Sequence, residues 1–262
     1  MGRADWLASR PVAHRGYHDA AAGRIENTTS AVAAAVERGF GVEIDIHLSS
    51  DGEAFVFHDL SLDRLTEGRG AVATLTMAEL RAVPFRQTRD RIPTLGDVLD
   101  IVGGRVPVFI EIKSFGGNEP WPLVARAADI LKSYAGPAAM MSFDPGAVSA
   151  MADLAPDVAR GIIADDCRDD EEWAGFSRTT RFYLRNMLHF PKTRPDFVNY
   201  WIKALPAPAP NLLRTFGVPL LTWTVRTPDD RARAARWADQ IVFEGFDPET
   251  SPSPARDVAA GT

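Results

Sequence analysis

Residues 42–46 read Val42-Glu43-Ile44-Asp45-Ile46, and residues 108–113 repeat the pattern as Val108-Phe109-Ile110-Glu111-Ile112-Lys113. Successive side chains of a strand alternate between its two faces, so Glu43 and Asp45 share one face while Val42, Ile44 and Ile46 share the other. The same parity puts Glu111 and Lys113 together. Similar short apolar runs recur at 12–13, 106–112, 138–141, 158–163, 197–200, 218–225 and 240–243, which with 42–46 makes eight strand candidates. Helical stretches lie between them, among them 28–38, 121–133 and 228–237. The last opens on Pro228 with Asp229 and Asp230 in its first turn, as a helix N-terminus prefers. Alternation of this kind implies parallel strands joined by crossover helices. Eight such units fit an α/β fold of the TIM (β/α)8 barrel type, roughly 250 residues long, in which the reacting groups sit at the carboxyl ends of the strands. The rival is an open doubly wound sheet; against it, Gly103-Gly104 and Gly116-Gly117 lack the spacing and context of a dinucleotide-binding turn.

The chain has 262 residues, 45% of them hydrophobic, enough for one large domain with a sizeable core. We expect residues 1–248 to form a single barrel domain. Residues 59–100 form a short rim insertion after the second strand, with a helix at 76–81 and a helix start at Pro93-Thr94-Leu95. The Pro-, Ser-, Ala- and Gly-rich tail at 249–262 is expected to be disordered. The charged, aromatic stretch 165–196, with Trp173, Phe176, Phe182, Tyr183 and Phe190, reads either as a lid over the site or as an ordinary outer helix. With 29 Lys and Arg against 35 Asp and Glu, and no long block of like charge, no nucleic-acid footprint is present. Cys167 is the single cysteine, which excludes an internal disulfide and a cysteine-built zinc site. No run of about eighteen apolar residues suggests a transmembrane segment, and the first ten residues lack a signal-peptide pattern, so the expected address is the cytoplasm.

The chemistry gathers at the strand ends. Glu43, Asp45 and Glu111 in one small space repel one another unless a cation or proton intervenes. A divalent cation removes that cost, and an all-oxygen set suits Mg²⁺ or Ca²⁺; the alternative is a set of ion pairs with arginines such as Arg15. His14 and His58 each close an apolar run. Singly, such a histidine reads as a hydrogen-bonded structural residue; as a pair they suit general acid and base catalysis near neutral pH. Arg15 and Lys113 would neutralise a phosphate as charge builds. Gly16 allows a sharp turn or a close backbone approach. These are the parts of a metal-assisted phosphoester site acting on a small anionic molecule.

His14-Arg15-Gly16, Glu26-Asn27-Thr28, Glu43-Ile44-Asp45, Asp51-Gly52, His58-Asp59, Ile92-Pro93-Thr94-Leu95, Glu111-Ile112-Lys113 and Trp223-Thr224-Val225 are, in this order, similar to the motifs of the glycerophosphodiester phosphodiesterase family. The resemblance runs from about residue 11 to residue 245. It implies a TIM barrel that uses a divalent cation to hydrolyse glycerophosphodiesters to an alcohol and sn-glycerol 3-phosphate. It also implies Glu43, Asp45 and Glu111 as metal ligands, His14 and His58 as the catalytic pair, and Arg15 and Lys113 near the phosphate. Asn27 would orient substrate or a ligand, or else cap a helix. Trp223 would lie under the glycerol portion, or else be simple core. Arg226 and Glu244 depart from the family pattern, which usually has Asn and a Thr-Asp pair there. The departures bear on the headgroup, and Arg226 would favour a more anionic one. Small soluble diesters are the first substrate class, with lysophospholipids next if the 173–190 segment touches lipid. A lipid phosphodiesterase that forms a cyclic phosphate and a non-catalytic binding barrel are the other readings.

Overall fold

The computed structural model describes residues 5–114, 120–169, 171 and 173–250. Among them nine strands form one sheet: β1 (Val12–Ala13), β2 (Gly41–Leu48), β3 (Ala54–Val56), β4 (Val108–Ile112), β5 (Ala138–Ser142), β6 (Ala159–Ala164), β7 (Phe197–Trp201), β8 (Leu220–Val225) and β9 (Gln240–Phe243). All neighbours pair in parallel except β3, which runs antiparallel to the end of β2. Because β1 pairs with both β2 and β9, the eight parallel strands close into a barrel and β3 lies outside the ring.

Three of the strands begin later than the apolar runs suggest, β6 by one residue at Ala159 and β4 and β8 by two. Pro107 and Pro219 have no N–H to give to a ladder, so β4 starts at Val108 and β8 at Leu220. Their carbonyls still accept from Val42 and Val198 at the barrel base.

The described helices are α1 (Thr29–Glu37), α2 (Met77–Ala82), α3 (Leu95–Val102), α4 (Trp121–Leu131), α5 (Pro145–Leu154), α6 (Arg178–Arg185), α7 (Phe190–Thr193), α8 (Pro208–Thr215) and α9 (Pro228–Trp237). Threonines fix several starts. Thr28 accepts from Ala31, and Thr76, Thr94 and Thr227 form capping boxes with Glu79, Asp97 and Asp230. Each of the helices expected from residues 28 and 76 therefore begins one residue later, with its threonine as cap.

The alternation on β2 and β4 sorts the core into two layers. Val42, Ile44, Ile46, Val108, Ile110 and Ile112 pack outward against Val32, Val98, Val124 and the other helix residues. Val12, Phe109, Met141, Ile163, Phe197, Leu221 and Val242 fill the barrel interior. A third cluster, with Phe55, Phe57, Leu62, Leu80 and Ile92, lies under the stretch that joins β3 to α3. α3 itself packs on α1 as a barrel helix. The residues from 251 onward in the expected tail lie outside the described residues. No described helix is long and apolar enough to cross a membrane.

Gly161 on β6 is paired with Phe197 on β7, and a Cβ there would stand 2.3 Å from the Phe197 ring. That ring is fully buried and meets Phe109 edge-on at 5.6 Å. Gly161→Ala is therefore expected to lower stability by about 1–3 kcal/mol through overpacking. A urea midpoint equal to that of the parent chain would contradict this packing.

Candidate active site

The carboxyl end of β1 turns sharply at His14-Arg15-Gly16. Arg15 and Gly16 both have positive φ, 55° and 80°. A Cβ on Gly16 would lie 2.8 Å from the Ala31 backbone, so the turn is seated directly on α1. This seat aims the Arg15 N–H at Glu43 Oε2, 2.9 Å away. Glu43 and Asp45 come from β2 and Glu111 from β4, in a register that sets Asp45 beside Glu111. All three are buried, and one oxygen from each lies within 4.8 Å of the others.

Burial and the neighbouring Asp45 and Glu111 raise Glu43 well above the usual carboxylate range. Glu111 is raised as well, first by burial. Asp45 goes the other way: burial opposes ionisation, but Lys113 and Arg15 hold it low. Lys113 Nζ lies 2.7 Å from Asp45 Oδ1 and 2.6 Å from Glu111 Oε1, and Arg15 Nε lies 3.4 Å from Asp45 Oδ2. Asn27 supports Asp45 from behind. Its Nδ2 donates to Asp45 Oδ2 at 2.8 Å, and its Oδ1 accepts from the Asp45 N–H at 3.2 Å. It neither lines the cavity nor caps α1, since Thr28 is the cap.

The two histidines face the cavity with matching supports. His14 Nδ1 is 2.8 Å from Glu244 Oε2, and Arg226 Nη2 donates to the same oxygen at 2.8 Å. Burial opposes ionisation of Glu244, but the hydrogen bonds from His14 and Arg226 hold it down to about 2. Glu244 and Arg226 therefore form one pair behind His14, and the Arg226 charge is engaged there. His58 Nδ1 is 2.8 Å from Asp59 Oδ1, and Arg64 Nε donates to Asp59 Oδ2 at 2.6 Å. Arg64 continues to Glu26, which also takes Arg15 Nη1 at 2.6 Å. Burial pushes both histidines below their ordinary value.

Around them lies a cavity of about 240 Å³, lined by His14, Arg15, Glu43, His58, Glu111 and Lys113 on one side and by Met141, Phe143, Ile163, Trp173, Asn199, Trp223 and Val242 on the other. Trp223 meets Phe143 edge-on at 5.4 Å, and its indole N–H donates to the Asn199 carbonyl. The 165–196 stretch does reach the site, through Trp173, while α6 lies outside with no buried residue. Glu26, Arg64 and Asn199 play parts that the sequence did not announce. Glu26 sits in a quoted motif, but nothing local ties Arg64 to it across 38 residues.

The model of the glycerophosphoryl diester phosphodiesterase family matches residues 14–245. A glycerophosphodiester phosphodiesterase of Caldanaerobacter subterraneus subsp. tengcongensis is 29% identical over 86% of this chain and 90% of its own length. Among solved structures, a phosphodiesterase of Oleispira antarctica in complex with the product sn-glycerol-3-phosphate has a similar fold, with a TM-score of 0.75 and 22% identity over 91% of this chain and 94% of that one. A glycerophosphodiester phosphodiesterase of Thermotoga maritima aligns with a TM-score of 0.67 and 25% identity over 89% and 94%.

A carboxyl raised above its unfolded value weakens the fold as pH rises through the shifted value, because the folded state then binds the extra proton. Glu43→Gln keeps an acceptor for the Arg15 N–H and removes the charge. In EDTA it is expected to melt at or above the wild-type temperature, with the gap widening as pH rises above the ordinary carboxylate range. A lower melting temperature above that range would contradict the repulsion described here.

Proposed function

Because the chain belongs to the glycerophosphoryl diester phosphodiesterase family, we propose that it hydrolyses glycerophosphodiesters to an alcohol and sn-glycerol 3-phosphate, with His14 and His58 as general acid and base and with a divalent cation on Glu43, Asp45 and Glu111. The observation that carries this reading is one cavity lined by Glu43 and Glu111, which cluster with Asp45, and by two histidines that are each held at Nδ1 by a carboxylate.

The donor set fits a hard cation: three buried carboxylates, two of them raised by crowding and burial, with Mg²⁺ or Ca²⁺ as the candidates. When bound, the cation supplies Lewis-acid stabilisation of the phosphoryl oxygens. The chain's own residues do the rest. Arg15 and Lys113 present positive charge to the phosphate at the same wall. A carboxylate at Nδ1 favours the tautomer with its proton there, which leaves Nε2 to take or give a proton in the cavity. The same carboxylates stabilise each imidazolium as it forms. Burial favours the neutral ring, which takes a proton at Nε2 from the attacking oxygen. The other ring starts as the imidazolium that its carboxylate stabilises and gives its Nε2 proton to the leaving oxygen; proton exchange with solvent then restores both rings. Trp223, Phe143 and Trp173 give the organic part of the substrate an aromatic wall. Asn27 acts through Asp45 as a positioning residue.

The proposal treats residues 1–248 as one catalytic domain, with the 59–100 stretch on its rim up to the barrel helix α3, to which its last residues belong, and keeps the cytoplasmic address. A cavity of about 240 Å³ suits a small molecule in place of a nucleic-acid strand. The test is release of glycerol 3-phosphate from glycerophosphocholine, glycerophosphoethanolamine and glycerophosphoinositol. Release is expected to stop in EDTA and return with Mg²⁺ or Ca²⁺, and His14→Ala and His58→Ala are each expected to lower kcat by about 10²–10⁴-fold with the fold intact. Unchanged turnover in EDTA, or near-normal kcat in either variant, would contradict the mechanism. A cyclic phosphate as product would replace water by a substrate hydroxyl as nucleophile.

A further inference from the structure

The inner end of the cavity meets the plug of the barrel, where Met141, Ile163 and Val242 are apolar. Asn199 lies among them and is the single amide that lines the cavity among the described residues. It is 2% exposed. Its Nδ2 reaches only the thioether of Met141, at 3.7 Å, and its Oδ1 has no hydrogen-bond partner. An amide oxygen buried without a donor weakens a fold, and an apolar side chain of the same size would fill this space with no such penalty. Packing gives no reason for an asparagine here.

The topology gives one. In the closed ring β7 is four strands from β2 in either direction, through β4, β5 and β6 or through β1, β9 and β8. Asn199 on β7 therefore stands across the barrel from Glu43 and Asp45 on β2. A phosphate drawn to Arg15 and Lys113 directs its ester substituent away from that wall, past Trp223 on β8, towards β7. Trp223 and Asn199 are linked, since the indole N–H donates to the Asn199 carbonyl at 3.2 Å.

We propose that Asn199 is a specificity-determining residue, whose Oδ1 accepts a hydrogen bond from a hydroxyl of the glyceryl group. The inference rests on the glycerophosphodiester reading above. The oxygen is covered by its surroundings, but the residue lines the cavity and the terminal torsion of an asparagine is soft, so the proposal has the amide turn to present Oδ1 to the substrate. A site built to pair with a hydroxyl discriminates strongly against an analogue that lacks one, because the polar group of the protein is then left alone.

The experiment compares kcat/KM for glycerophosphocholine with that for the propyl ester of phosphocholine, which lacks both glyceryl hydroxyls. The wild-type chain is expected to prefer the first by about a hundredfold or more, and Asn199→Leu to bring the ratio down at least tenfold. If Asn199→Leu does not fold, Asn199→Ala makes the same comparison with less bulk. A wild-type ratio near one, or a folded variant that slows both substrates equally, overturns the inference while leaving the phosphodiesterase reading in place. A wild-type chain that cleaves neither overturns that reading and this inference together.

Discussion

Three carboxylates share one wall of a barrel interior, and their mutual repulsion is the constraint around which the rest is arranged. Glu43, Asp45 and Glu111 are brought together by the strand register, not by any attraction between them. The apolar faces of β2 and β4 drive the strands into place, and the opposite faces must then accept whatever the alternation puts there. Lys113 and Arg15 offset part of the cost by holding Asp45 ionised, while Glu43 remains crowded and raised. A site of this kind is destabilising in itself, and the outer shell of aliphatic residues that packs strands against helices has to outweigh it.

Supports for the reacting groups follow from the same economy of buried charge. Each histidine is backed by a carboxylate, and each of those carboxylates is backed by an arginine: Glu244 by Arg226, and Asp59 by Arg64. The chain from His58 through Asp59, Arg64 and Glu26 ends on Arg15, which returns it to the carboxylate wall. The two sides of the site are thus mechanically linked. Arg226 and Glu244 are paired on one oxygen and together give His14 an acidic partner. Neutralising one alone would leave the other's charge without its partner.

Much of this was legible in the sequence because it is periodic or local. The parity of Glu43 with Asp45 and the apolar runs that become the barrel strands depend on spacings of a few residues, whereas the threonine caps at Thr28 and Thr76 were counted as the first helical residues. β3 was harder: it has three residues, pairs antiparallel and lies outside the repeating unit. The late starts of β4 and β8 reflect prolines that an apolar-run reading counts as strand. In the site, Arg64 and Asn199 had no local signature. Their roles arise from contacts across dozens of residues or across the barrel, and an asparagine in an apolar strand carries no mark until its unpaired oxygen is seen. Within the 165–196 stretch Trp173 lines the cavity while α6 has no buried residue, a division that composition does not show.

The central claim is that the crowded carboxylates are a cation site and not merely a strained set of ion pairs with Lys113 and Arg15. The most direct measurement is calorimetric titration of Mg²⁺ and Ca²⁺ into the metal-stripped protein, alongside Asp45→Asn and Glu111→Gln. The account predicts one ion per chain in the wild type and loss of binding in both variants. Absence of binding by the wild type, or binding that survives both substitutions, would contradict it.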